Sequence, residues 1–275
     1  MKKNFLKKVI CTLLTAFVTL TSTSFITKAA TNVGSYNAGI GIKNWPAQVN
    51  APYVDMVGWV TKNGYYMGND GGGAANLKKL SDETGIKYFN LAFIQSTGSV
   101  TNGKINWGWG GYSVLSEGKN DNQYNGIKQS LKDLRAIGGD AAISFGGAGG
   151  TAFWQTSQDV NVLYNTYLDI VNGYALTRID LDVEGGAQNK QSNIANAKAV
   201  KMLQDTTGVE VTLTVPVLPS GLTQTQIDLL DAYLSNNVTL KYINIMAMCY
   251  GSSTLLPGEN YGTASIRAID STKNQ

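Results

Sequence analysis

The chain has 275 residues, 43% hydrophobic and 15% charged, which fits a folded globular domain and excludes a disordered one. It contains no histidine and two cysteines, Cys11 and Cys249. Ser-His-Asp and Cys-His hydrolases, histidine metal centres, histidine general bases and a cysteine zinc site are therefore excluded, leaving carboxylates, tyrosines and tryptophans to do chemistry.

Residues 1–30 read as a secretory signal. Lys2, Lys3, Lys7 and Lys8 form a basic start, residues 9–26 are mostly apolar, and Thr27-Lys28-Ala29-Ala30 offers a small-residue cleavage site. An uncleaved anchor is the alternative, but polar residues between Thr19 and Ser24 shorten the apolar run below the ~20 residues of a membrane span. The leader holds five of the 22 basic residues and none of the 19 acids. The overall charge of +3 therefore becomes 17 basic against 19 acidic, or −2, in the mature chain. That leaves no basic footprint for nucleic acid, and no membrane contact is expected after cleavage. With one cysteine remaining, no internal disulfide is expected.

A regular alternation begins near residue 50. Residues 53–59 read as a first strand, followed by a Gly/Asn-rich loop to Gly73. Residues 76–84 form a short helix stopped by Gly85, and residues 87–94 the second strand. A long loop holding Trp107, Trp109 and Tyr112 leads to a helix over 124–137, where Ile127, Leu131 and Leu134 recur at helical spacing before Gly138. Residues 140–147 are the third strand, 160–172 a helix ending at Gly173, and 178–184 the fourth strand. A helix over 193–207 stops at Gly208, and 210–217 is the fifth strand. The capping box Thr223-x-x-Gln226 opens a helix to residue 235, then 242–248 is the sixth strand and 263–273 a last helix. Helix, glycine stop and strand recur, as in βαβ units around a parallel sheet.

The fourth strand reads Arg178-Ile179-Asp180-Leu181-Asp182-Val183-Glu184-Gly185-Gly186. Period two puts three acids on one face and the aliphatics on the other, with neighbouring acids roughly 6–7 Å apart. Acids are almost never buried unpaired, so this face is not ordinary core. A water-facing edge strand and a Ca²⁺ site of clustered oxygens are the other readings of the pattern. An aliphatic back and a carboxylate front suit a barrel wall with a reaction site at its carboxyl end, giving a (β/α)₈ TIM barrel of which about six of eight βα units are present. An open doubly wound sheet is the alternative. Gly147-Ala148-Gly149-Gly150-Thr151-Ala152 matches G-x-G-x-x-A, but it follows the third strand and no acid ends the next strand about twenty residues on, as ribose binding would need.

Two motifs together resemble a known family. Ser144-Phe145-Gly146-Gly147 matches S-x-G-G, and residues 180–184 match the D-x-D-x-E of family 18 glycoside hydrolases, the chitinases, in the family's order on adjacent strands. Ile245-Met246-Ala247-Met248 and Tyr250 resemble the family's sixth-strand motif. The resemblance implies that residues 31–275 are a catalytic domain lacking its last strands. It implies a secreted, monomeric glycosidase that cleaves β-1,4 bonds beside N-acetylglucosamine, in chitin or its oligosaccharides, by substrate-assisted retention without metal or cofactor. Glu184 would be the general acid, its pKa raised by burial beside two carboxylates. Asp182 would hold the N–H of the 2-acetamido group while that group's oxygen attacks the anomeric carbon, and Asp180 would share a proton with Asp182.

Ser144 and Gly147 would give room beneath the acids, and Met246, Met248 and Tyr250 would line the substrate site. Flat aromatic faces stack on pyranose rings, which makes Trp107 and Trp109 the leading binding candidates, with Trp59 and Trp154 behind them. The chain departs from the family at Thr177, where the longer motif has an acid, at Cys249, where an acid follows the sixth-strand methionines, and at Met248, a tyrosine in one branch. An inactive glycan-binding chain is therefore the second functional reading. Peptidoglycan, which also carries N-acetylglucosamine, is the alternative substrate.

Overall fold

The computed structural model describes residues 34–58, 65–67 and 73–275, so the leader and Trp59 lie outside the described residues. Seven strands form one sheet: β1 (Tyr53–Asp55), β2 (Tyr88–Thr101), β3 (Lys104–Trp109), β4 (Asp140–Gly146), β5 (Arg178–Asp182), β6 (Glu210–Pro216) and β7 (Leu240–Met246). The order is β1-β2-β4-β5-β6-β7, every pair in it parallel, with β3 antiparallel on β2. Spatial neighbours follow chain order without reversal. A doubly wound sheet reverses at a switch point, so the structure overturns that alternative and shows the curled, open part of a TIM barrel. Residues 147–152 are loop ahead of a one-turn helix, α3 (Phe153–Thr156).

The remaining helices are α1 (Leu77–Thr84), α2 (Asn122–Ala136), α4 (Val160–Gly173), α5 (Lys190–Thr207), α6 (Gln224–Leu234) and α7 (Tyr261–Lys273). Their ends follow the side chains the sequence offers. Asp121, Asp159 and Asn189 cap α2, α4 and α5 by accepting from backbone amides that have no helical partner. Gly85 and Gly208 close α1 and α5 in the left-handed conformation, with φ of 74° and 70°. No helix among the described residues is long and apolar enough to cross a membrane.

The long tryptophan loop is a correction. β2 runs on past residue 94, and β3 folds back on it as a hairpin closed at Asn102-Gly103, so residues 104–109 are strand. Trp109 faces the core, fully buried, and its indole N–H donates to Tyr174 Oη at 2.9 Å. A glycine-rich composition hid the strand, because glycine lowers strand propensity without preventing pairing.

β1 and β7 end the sheet. β7 is consequently the least covered of the parallel strands, and Ile243 on it is 45% exposed. Ile266 and Ile269, one turn apart on α7, are also exposed, while Ala264 and Ala268 face a small cluster with Val217 and Tyr250.

Candidate active site

β5 is buried along its whole length. Ile179, Leu181 and Val183 join the apolar core. Asp180 and Asp182 are buried as well, among neighbouring strands set by register: Ser144 pairs with Asp180, Gly146 with Asp182, and Thr214 with both Asp182 and Asn244. Asp180 accepts three hydroxyl hydrogen bonds from three strands: Ser144 at 2.5 Å and Tyr53 at 2.9 Å on Oδ2, and Thr214 at 2.6 Å on Oδ1. Those donors offset part of the burial that raises its pKa. Asp182 has fewer compensations. Its Oδ1 is buried without a hydrogen-bond partner. Burial, then the charges of Asp180 and Glu184, then a hydrogen bond with Glu184 push its pKa up to about 8. Glu184 lies just past the strand, half-buried, at the start of a short 3₁₀ turn over Gly185–Gln188.

Asp182 and Glu184 line one cavity of about 1190 Å³, with Tyr53, Thr214, Asn244 and Met246 on its walls. S-x-G-G is explained by contact. Gly146, at φ 109°, lies so close to β5 that a Cβ would stand 2.1 Å from the Asp182 carbonyl oxygen. A Cβ on Gly147 would meet the Phe93 ring at 2.9 Å.

The chain is 31% identical over 217 residues to endochitinase 11 of Metarhizium anisopliae, covering 77% of this chain and 37% of that protein. It is 32% identical over 244 residues to the probable bifunctional chitinase/lysozyme of Escherichia coli strain K12, covering 85% of this chain and 25% of that protein. Over most of its length the chain is thus similar to two curated chitinases. It spans about a third and a quarter of the length of these two curated relatives. No protein-family model matches it. A chitinase structure from Pyrococcus furiosus, of catalytic-site mutants complexed with chito-oligosaccharides, superimposes with a TM-score of 0.64 at 22% identity, over 83% of this chain and 65% of that one, which speaks for the fold.

Within this domain the other sequence candidates scatter. Met246 and Met248 line the cavity, Met248 with 62% exposure. Cys249 lines it too, at φ 58°, a left-handed conformation that costs a non-glycine residue energy. Tyr250 touches the cavity but is itself buried against Val217, Ala264 and Ala268, with its hydroxyl unpartnered. Trp109 has no face free for a sugar. Trp107 packs half-buried against Tyr36 and Tyr124, and Trp154 is buried with its N–H on the Ala187 carbonyl. Neither lines the cavity that holds Asp182 and Glu184. Tryptophan in a glycine-rich stretch meant hairpin core here, because a twisted hairpin must cover its inner face with large side chains.

Sequence reasoning missed Tyr53, Thr214, Asn244 and Trp45. Trp45 stacks on the Arg178 guanidinium at 4.3 Å at the foot of the cavity. The signal for Thr214 was present: Thr212 and Thr214 alternate on a strand beside the acids. Asp182, whose pKa is pushed up to about 8, sits inside the wall, while Glu184 stands at the wall's end. Among the described residues no group of acids and cysteines is placed to hold a metal ion.

A stability measurement tests this assignment. Unfolded, Asp182 ionises near 4; folded, it keeps its proton to about 8. Between those values the folded state binds the extra proton, so this group's contribution to stability falls as pH rises from about 4 to 8 and is flat above. Asp182→Asn removes that fall. Thermal melts are expected to show the variant gaining on the wild type as pH is raised from 5 to 8.5. A constant difference would remove Asp182 as the titrating group.

Proposed function

We propose that this chain is a secreted, monomeric chitinase-like hydrolase that cuts β-1,4 bonds next to N-acetylglucosamine by substrate-assisted retention. The observation that carries the reading is the placement of Asp182 and Glu184 on one cavity, with Asp180 buried directly beneath. Glu184 stands where it meets solvent and substrate, and protonates the glycosidic oxygen as the bond breaks. Asp182 takes the N–H of the acetamido group and passes its proton to Asp180, so the acetamido oxygen is oriented for attack on the anomeric carbon. The developing positive charge then faces a carboxylate in a cavity with low dielectric walls, where that attraction is strong. Glu184 next removes a proton from the incoming water. Two displacements at one carbon return the original anomeric configuration. The Pyrococcus complex with chito-oligosaccharides supports this substrate class, and the Escherichia coli relative's name adds lysozyme-type cleavage as a second polymer to test.

Turnover of a fluorogenic chitobioside, with the first product's anomer followed by NMR, tests the proposal. A β product supports retention, whereas an α product or cleavage of non-acetylated sugars at equal rates would end it. Parallel digests of chitin and peptidoglycan distinguish the two polymers. A second reading, glycan binding without turnover, rests on Cys249, which lines the cavity where the resemblance expects an acid. Retention on chitin beads with no soluble product would favour it.

A further inference from the structure

Asp180 and Asp182 face a common interior, and their surroundings differ in one respect. Asp180 receives three hydroxyl donors, while Asp182 has an oxygen with none. Two of the donors crowd Oδ2, and Thr214 alone serves Oδ1. Thr214 has one hydroxyl hydrogen. Its orientation is fixed from the other side, because Asn244 Nδ2 on β7 donates to Thr214 Oγ1 at 3.2 Å. A hydroxyl that accepts from an amide turns its own hydrogen away, and here that direction is Asp180 Oδ1. The result is a chain of donors, Asn244 to Thr214 to Asp180, running from the last strand of the sheet to a fully buried acid.

We infer that Thr214, oriented by Asn244, is a positioning residue that decides which of the two aspartates holds their shared proton. This rests on the proposed mechanism, in which the proton must sit on Asp182 before substrate arrives and move to Asp180 afterwards. Hydrogen bonds to a carboxylate stabilise its charged form, so donation at Oδ1 keeps Asp180 the anion and leaves the proton on Asp182. Burial pushes both carboxyls up, but the three hydroxyl donors offset part of that at Asp180, whereas the bare oxygen of Asp182 has no such donor. The other titratable or charged groups around the pair are Tyr53 on β1, Glu184 after β5, Tyr242 on β7, and Arg178, which is paired with Glu210. Tyr53 cannot replace Thr214, since its hydroxyl serves Oδ2 or Thr214 itself, at 2.9 and 2.8 Å.

The test reads the proton directly. Carboxyl ¹³C shifts of Asp180 and Asp182, assigned through Asn substitutions, are measured at pH 7 in the full chain. In the wild type Asp182 is expected to show the acid shift and Asp180 the carboxylate shift. Thr214→Val keeps the side-chain shape and removes the donor, and there the two signatures exchange. Thr214→Ser restores the wild-type pattern. Asn244→Leu, at an exposed position, leaves the hydroxyl in place but free to turn, and moves the pattern part of the way. It decides the matter if Thr214→Val does not fold. Unchanged signatures in a folded Thr214→Val or in Asn244→Leu, or a serine variant that behaves like valine, would overturn the inference. Chitobioside turnover is followed in parallel. A wild type that exchanges proton ownership on substitution yet hydrolyses nothing defeats the proposed function and leaves the Thr214 assignment standing.

Discussion

Glu184→Gln is expected to lower kcat on a chitobioside by about 10²- to 10⁴-fold, with KM within a few-fold of the wild type. The glutamine matches the glutamate in volume and keeps a hydrogen-bonding head, so the half-buried site at the start of the 3₁₀ turn is retained. The ionisable proton is lost. An amide cannot protonate a departing sugar oxygen and then take a proton back from water. A loss confined to kcat marks an interaction made only in the transition state. A proportionate rise in KM with kcat unchanged would mean that Glu184 only binds the sugar. The size of the loss also depends on the leaving group: an activated phenol needs less proton assistance than a sugar. The deficit should therefore be larger on chitotetraose than on a nitrophenyl or methylumbelliferyl glycoside. Equal deficits on both would remove the acid role while leaving open a role in activating water.

The second large effect is on stability and lies at the amino end of β4. Asp140→Ala is expected to cost about 3–5 kcal/mol, because it leaves a buried guanidinium without its counter-charge. Arg135 Nε donates to Asp140 Oδ1 at 2.8 Å, and both side chains are almost completely buried, at 3% and 0% exposure. The other oxygen of Asp140 accepts from the Ile42 amide at 2.8 Å and the Trp45 indole at 3.2 Å. One carboxylate thus ties α2, the start of β4 and the segment leading to β1. The remaining Arg135 N–H groups reach the carbonyls of Ala38 and Tyr174, so they keep the charge in place after its partner has gone. A domain of this size loses roughly 2–4 °C of Tm per kcal/mol, so a drop of about 6–20 °C is expected. Arg135→Met combined with Asp140→Leu should cost much less than Asp140→Ala, because an apolar pair leaves no charge uncompensated. If the single variant melts within about 2 °C of the wild type, the pair does not hold the fold. Trp45 is released in the same change, and it stacks on Arg178 at the cavity's foot, so activity should fall at temperatures where the variant is still folded.

Much of the architecture was legible in the sequence, because its signals are local. Helices reveal themselves at their ends: Gly85 after α1, Thr223 and Gln226 around the start of α6, Gly208 after α5. Alternation on β5 announced a two-faced strand, and the acids on it do face the cavity side of the sheet. What failed was non-local. Trp109 became core because Tyr174, 65 residues further on, lies across from it and accepts its N–H. No window of sequence contains both residues.

The sequence by itself determined the alternation of the parallel strands with helices, the row of acids and the absence of histidine chemistry, since each follows from residue type and spacing along one segment. Only the tertiary structure decided what surrounds each of those acids. Asp180 and Asp182 have the same side chain and sit two residues apart. They differ because Thr214, Ser144 and Tyr53, from three other strands, all reach the first and leave an oxygen of the second bare. Burial and hydrogen bonding depend on what surrounds a group in space, and strand register, fixed by packing, is what supplies it.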